Sequence, residues 1–177
     1  DSGEIYAFNM LEEIDEPGEY YINRNTGVLY FWPPSPVARA EAVVSVMENP
    51  FMVLDETGYV IIRDIKFDVC RSNALIVAGG SDNTIAGCTF RNAGLNGVII
   101  GDEAYAPDAG THHGVTGCDF SAIRGTAVRI GGGDRKTLRP GKNYIVNSRF
   151  HHGADISVSG CGNRAAHNLM HDGPTGA

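Results

Sequence analysis

The sequence predicts an all-β solenoid, a stack of similar coils, and three observations predict it. Five large apolar residues, Phe67, Phe90, Phe120, Phe150 and Met170, recur at spacings of 23, 30, 30 and 20 residues. Apolar positions line up at fixed offsets from these anchors: Ile62, Ile85, Val115, Ile145 and Ala165 five before, Leu75, Val98, Val128 and Val158 eight after, Val77, Ile100 and Ile130 ten after. Within a copy these positions are separated by two, the period of a strand, and no run of ten residues follows helical spacing. A copy this short cannot bury its inward side chains alone, so the copies stack and place Phe over Phe and Val over Val.

The elements follow in chain order. Tyr20-Tyr21-Ile22 and Val28 to Trp32 flank Asn23-Arg24-Asn25-Thr26-Gly27, a hairpin signal closed by Gly27. Pro33, Pro34 and Pro36 end the second strand, and residues 41–67 are expected to supply a first, less regular coil or two. The chain therefore divides into an N-terminal hairpin and entry segment, 1–58, and regular coils, 59–177. Two residues before the anchors stand Ile65, Cys88, Cys118, Ser148 and Asn168, so the pattern weakens toward the C-terminus. Seven before stand Asn83, His113, Asn143 and Asn163, a column expected at a turn because Asn tolerates the left-handed conformation. Ala177 lies seven past Met170, where an inward strand is due, and no capping segment follows. The expectation is a chain that stops within a coil, either as a fragment or with its open end covered by another molecule.

This phasing over residues 59–177 resembles the right-handed parallel β-helix of pectin-lyase-like proteins. The stretch LEEIDEPGEYYINRNTGVLYFWPP, residues 11–34, is similar to the entry segment of large secreted bacterial β-helix proteins classed among carbohydrate-active enzymes. GCGNRAAHNLMHDGP, residues 160–174, is similar to a late coil of the same group. The resemblance implies saccharide chemistry and an extracellular or periplasmic location, and it assigns no catalytic residue.

Composition narrows the partners. The net charge is −7, but residues 1–58 hold 11 acids and two bases, so the entry segment is acidic and the coils carry a small positive excess. That balance excludes nucleic acid, which requires concentrated Lys and Arg, and permits neutral or acidic glycans along the coils. No apolar run is long enough for a membrane span, and the start at Asp1, without Met or a signal sequence, implies processing or truncation. Cys88 and Cys118 share one inward column and are expected as stacked thiols rather than a bridge, while Cys70 and Cys161 fall elsewhere without zinc spacing. Residues 131–137, GGGDRKT, lack the Gly before Lys that a phosphate-binding loop needs.

Inward columns are committed to packing, so chemistry belongs to what varies between coils. Two insertions lengthen consecutive coils at one place. Gly101 to His113 carries Asp102, Glu103, Tyr105, Asp108, His112 and His113, and Gly131 to Lys142 carries Asp134, Arg135, Lys136, Arg139 and Lys142. The acidic loop and the basic one either pair with each other or form a wall above a glycan groove, in which Tyr105, Arg135 and Lys136 would contact substrate. Arg129 lies nine past its anchor with Ile76, Ile99 and Ser159, an outward column read as the groove floor.

A second constellation surrounds the later anchors. His151 and His171 follow theirs by one, His152 and Asp172 by two, His167 precedes its own by three and Asp155 follows by five. Imidazoles titrate near neutrality and carboxylates orient them, which suits acid–base work. The same groups are ordinary metal ligands, but coil spacing establishes no ligand set, and no metal or cofactor is assigned. Hydrolysis of a glycosidic bond would draw on Asp134, Asp155 and Asp172. Elimination would use His151 or His171 as base and Arg129, Arg135, Lys136 or Arg149 to neutralise a uronate carboxylate. The expected function is a glycoside hydrolase or polysaccharide lyase fragment. The alternatives are a self-assembling solenoid that stacks end to end into fibres, or a passive glycan-binding module.

Overall fold

The computed structural model describes residues 9–101 and 108–173. The chain forms two compact units, Asp1–Val43 and Val44–Ala177. In the first, β1 (Tyr20–Ile22) pairs antiparallel with β2 (Leu29–Phe31), Tyr21 opposite Tyr30. The Asn23 side chain accepts hydrogen bonds from the Asn25 and Thr26 amides, and Gly27 closes the turn at φ +73°. Tyr20, Leu29, Tyr30, Phe31 and Trp32 are all exposed.

The second unit is a parallel β-helix of three five-stranded sheets. The first sheet stacks β3 (Met52–Asp55), β6 (Leu75–Ala78), β9 (Val98–Ile100), β12 (Val128–Ile130) and β15 (Ile156–Val158). The second stacks β4 (Ile61–Arg63), β7 (Thr84–Ala86), β10 (Gly114–Thr116), β13 (Tyr144–Val146) and β16 (Arg164–Ala166). The third stacks β5 (Lys66–Cys70), β8 (Thr89–Ala93), β11 (Asp119–Ile123), β14 (Arg149–His151) and β17 (Leu169–Met170). Phe67, Phe90, Phe120, Phe150 and Met170 are mutual register partners. The four phenyl rings stack face on face, centroids 4.7, 5.0 and 4.9 Å apart, which is the strand spacing carried into the core. Ile62, Ile85, Val115, Ile145 and Ala165 form the matching column of the second sheet.

Two expectations need correction. In the first sheet Val128 pairs with Ile156, and Val158 pairs with Ile130. Strand β14 is two residues shorter than β11, so Ile156 follows its anchor by six where Val128 follows by eight, and a constant offset misplaces the last copy by one inward position. The outward partner of Arg129 is accordingly Ser157, not Ser159. Ile76 and Ile99, expected on an open floor, are 7% and 0% exposed.

The asparagine column is the second correction. The left-handed residues are the ones just before it: Tyr59, Asp82, His112, Lys142 and Gly162. The column itself is turned inward and bonds the main chain of the preceding coil. Asn83 Oδ1 accepts from the Val60 amide, His113 Nδ1 from Asn83, Asn143 Oδ1 from His113 and Asn163 Oδ1 from Asn143, at 2.8–3.2 Å. A corner that leaves amides out of the sheet ladders needs such acceptors, because a buried, unpaired N–H is costly. Two more left-handed columns follow: Asp64, Gly87, Gly117, Asn147 and His167 at the corner between the second and third sheets, then Val69, Asn92 and Ala122 as bends within β5, β8 and β11, continued by His152 and Asp172 just past β14 and β17.

Cys70, Cys88 and Cys118 are buried free thiols. Cys118 Sγ donates to the Ile85 and Thr116 carbonyls, and burial pushes its thiol up to about 12. Among the described residues no helix is long and apolar enough to cross a membrane.

Candidate functional site

Strand alternation turns the residues on either side of each anchor outward on the third sheet. From coil to coil these are Lys66 and Asp68, Thr89 and Arg91, Asp119 and Ser121, Arg149 and His151, then Leu169 and His171. The outer face of this sheet is therefore a polar strip in two halves. In the first, Asp68 accepts from Arg91, Lys66 and Asn92, with Arg91 Nη2 at 2.6 Å, and the guanidinium holds its carboxyl well below the usual range. This half is closed on itself.

The second half gathers three of the six histidines. His151 Nε2 lies 3.1 Å from Asp119 Oδ1, and His151 Nδ1 faces His152 Nδ1 at 2.5 Å. One coil on, His171 stacks on His151 with centroids 5.3 Å apart and planes 5° from parallel. Arg149 Nε donates to His171 Nε2 at 3.2 Å and stands 3.7 Å from Asp119 Oδ2. His171 Nδ1 meets Asp172 Oδ2 at 2.9 Å, and this contact holds the Asp172 carboxyl below its ordinary value. Two stacked imidazoles, each backed by a carboxylate, thus share the face with one guanidinium that reaches His171 and Asp119. The His151 side chain is only 12% exposed, whereas Asp172 is open at 66%.

Other predicted residues lie elsewhere. His167 occupies the corner between the second and third sheets. Asp155 Oδ1 accepts from the Ala127 amide and supports the first sheet. Asp134 folds onto its own turn, Oδ1 accepting from the Lys136 and Thr137 amides and Oδ2 from the Thr137 hydroxyl, and these bonds lower its pKa. Arg129 projects from the first sheet, so among the candidate cations Arg149 is the one placed with the histidines. Tyr105, with Asp102 and Glu103, lies outside the described residues.

Two grooves border the insertions. One, of about 530 Å³, is lined by Arg129, Arg135, Ser157, Ser159 and the glycines at 131–133, and no carboxylate lines it among the described residues. Arg135 Nε donates to the Gly160 carbonyl at its rim, and Lys136 is exposed on the same turn. The other, of about 680 Å³, takes Glu56, Asp108, Asp134 and Arg139 with the hydroxyls of Thr57, Ser81 and Thr111. Gly58, Ser81 and Thr111 bridge in parallel along it, a column that the apolar pattern did not reveal.

Asp119 was also missed. It precedes its anchor by one, as Arg149 does, and that shared offset was a usable signal. Comparison with protein-family models, curated proteins and solved structures gives no match.

Proposed function

We propose that this β-helix is carbohydrate-active, working outside the cytoplasm on a polysaccharide that bears carboxylates, and that its reaction is elimination rather than hydrolysis. One observation carries the reading: Arg149 sits within reach of His171 and Asp119, beside two imidazoles that each have a carboxylate partner. Elimination needs those parts. A base takes the proton on the carbon next to the uronate carboxylate while a cation holds that carboxylate. The C–H electron pair becomes a C=C bond, the C–O bond on the adjacent carbon breaks, and the departing oxygen takes a proton. Hydrolysis would need two available carboxylates across the bond. Asp134 and Asp155 are instead engaged with main-chain amides, and Asp119 and Asp172 with His151 and His171.

The resemblance of residues 11–34 and 160–174 to secreted carbohydrate-active proteins supports the substrate class. The groove of Arg135, Ser157 and Ser159, with Lys136 exposed on the same turn, adds a second basic face for an acidic polymer. The test is a panel of uronate polymers and neutral polysaccharides, followed by ultraviolet absorbance of the new double bond and by reducing ends. Absorbance with uronate polymers is expected, and Arg149→Ala, which removes the cation, should lower it about 10²–10³-fold. Reducing ends without absorbance would replace elimination by hydrolysis, and binding without either product would make the chain a glycan-binding module.

A further inference from the structure

Asp119, His151 and His152 stand in a row whose protons can be assigned. An ionised carboxylate only accepts, so His151 Nε2, 3.1 Å from Asp119 Oδ1, carries a proton. The two Nδ1 atoms at 2.5 Å cannot face each other with two protons or with two lone pairs, so one proton lies between them. When both rings are neutral, His151 already holds its proton on Nε2, and the shared proton belongs to His152 Nδ1. His152 Nε2 is then unprotonated, which is the less common tautomer of a histidine in water.

The neighbouring charges fit this assignment. Arg149 donates to His171 Nε2, which puts the His171 proton on Nδ1 toward Asp172 and leaves the ring stacked on His151 neutral. Asp119 and Asp172 are the anions facing the row, and Arg149 is the cation. The His152 backbone is held in the left-handed corner at φ 50°, with its carbonyl accepting from the Ala122 amide, so the exposed ring is presented from a tethered position.

We propose that Asp119, His151 and His152 form a proton relay in which His152 Nε2 is the base that meets substrate and Asp119 is the positioning residue. A proton taken by His152 Nε2 releases the Nδ1 proton of the same ring to His151 Nδ1. The positive charge moves one ring inward and comes to rest beside the Asp119 carboxylate, and no electron changes hands. This inference rests on the reading of the face as an acid–base site, but its own test needs no substrate.

Long-range ¹H–¹⁵N NMR at about pH 8.5, above the ordinary histidine range, reads each tautomer directly. The expected spectrum shows His151 protonated on Nε2 and His152 on Nδ1. In Asp119→Ala the constraint on His151 is gone, and His152 should return to the common Nε2-protonated form while the remaining amide signals keep their dispersion. A wild-type His152 protonated on Nε2, or a His152 tautomer indifferent to Asp119→Ala, overturns the relay. With a turned-over uronate polymer, His152→Gln should lower the rate about 10²–10⁴-fold, and an unchanged rate removes His152 as the base. If the tautomers are found and no polymer is turned over, the relay stands and the elimination reading falls.

Discussion

His113 fills a place that asparagine fills in the coils on either side, and the substitution makes that corner sensitive to acid. The ring is 1% exposed, its Nδ1 accepts from the Asn83 amide, and its Nε2 lies 3.1 Å from the Gly79 carbonyl, so only the neutral, Nε2-protonated form satisfies both contacts. Burial pushes its pKa below the ordinary histidine value, with Asp82 opposing and His112 assisting at a distance. The unfolded chain therefore binds more protons than the folded one below about pH 6.5, and stability falls as pH drops through that window. Thermal melting should show a smaller loss between about pH 7 and pH 5 in His113→Asn than in wild type, since Asn Oδ1 accepts the same amide without titrating. An equal loss in both would refute the assignment. Asn143 makes the complementary case. It accepts from the His113 amide and donates to the Gly131 carbonyl at 0% exposure, so Asn143→Ala should cost about 1–3 kcal/mol in urea unfolding.

Among the strands, the stacked anchors dominate. Phe120 lies between Phe90 and Phe150 at 0% exposure, and Phe120→Ala should cost about 3–5 kcal/mol. Met170 holds the same register position but is 54% exposed in this chain, so Met170→Ala should cost distinctly less. Equal costs would mean that β17 is packed differently from its assigned place. The corners carry a different constraint. A Cβ on Gly160 would lie 1.9 Å from the Gly132 carbonyl oxygen, at a backbone φ of +81°. Gly160→Ala is therefore expected to disturb the rim of the Arg129 groove and weaken any uronate oligomer bound there, read by titration calorimetry. Undiminished binding would place the ligand elsewhere.

Across the β-helix unit, each coil touches its neighbours, so stability is a sum of coil and interface contributions. Amide hydrogen exchange should be slowest in β8, β11 and β14, whose anchors are fully buried, and faster in β17. Uniform protection would show a single cooperative unit instead. The residues that reported this architecture in advance are the inward ones. Phe67 to Phe150 and Ile62 to Ile145 repeat because stacking at one strand spacing requires like side chains in one column, and a column leaves a periodic trace. Where a strand changes length the trace misleads: Val158 matched Val128 by counting, while the two residues missing from β14 put Ile156 in that position. The Asn83 to Asn163 column was visible as a column, but its work as an inward acceptor was not, since asparagine suits both a left-handed turn and a main-chain bond. The chemistry was read less completely. His151, His171 and Asp172 could be grouped by offset alone, because neighbouring coils bring equal offsets together. Asp119 joined them, and Asp134 and Asp155 left them, through side-chain directions that no spacing encodes. The sequence alone settles a parallel solenoid and its packed columns, since periodicity follows from stacking; the groups that meet on its surface depend on strand length and rotamer, which the folded chain alone fixes.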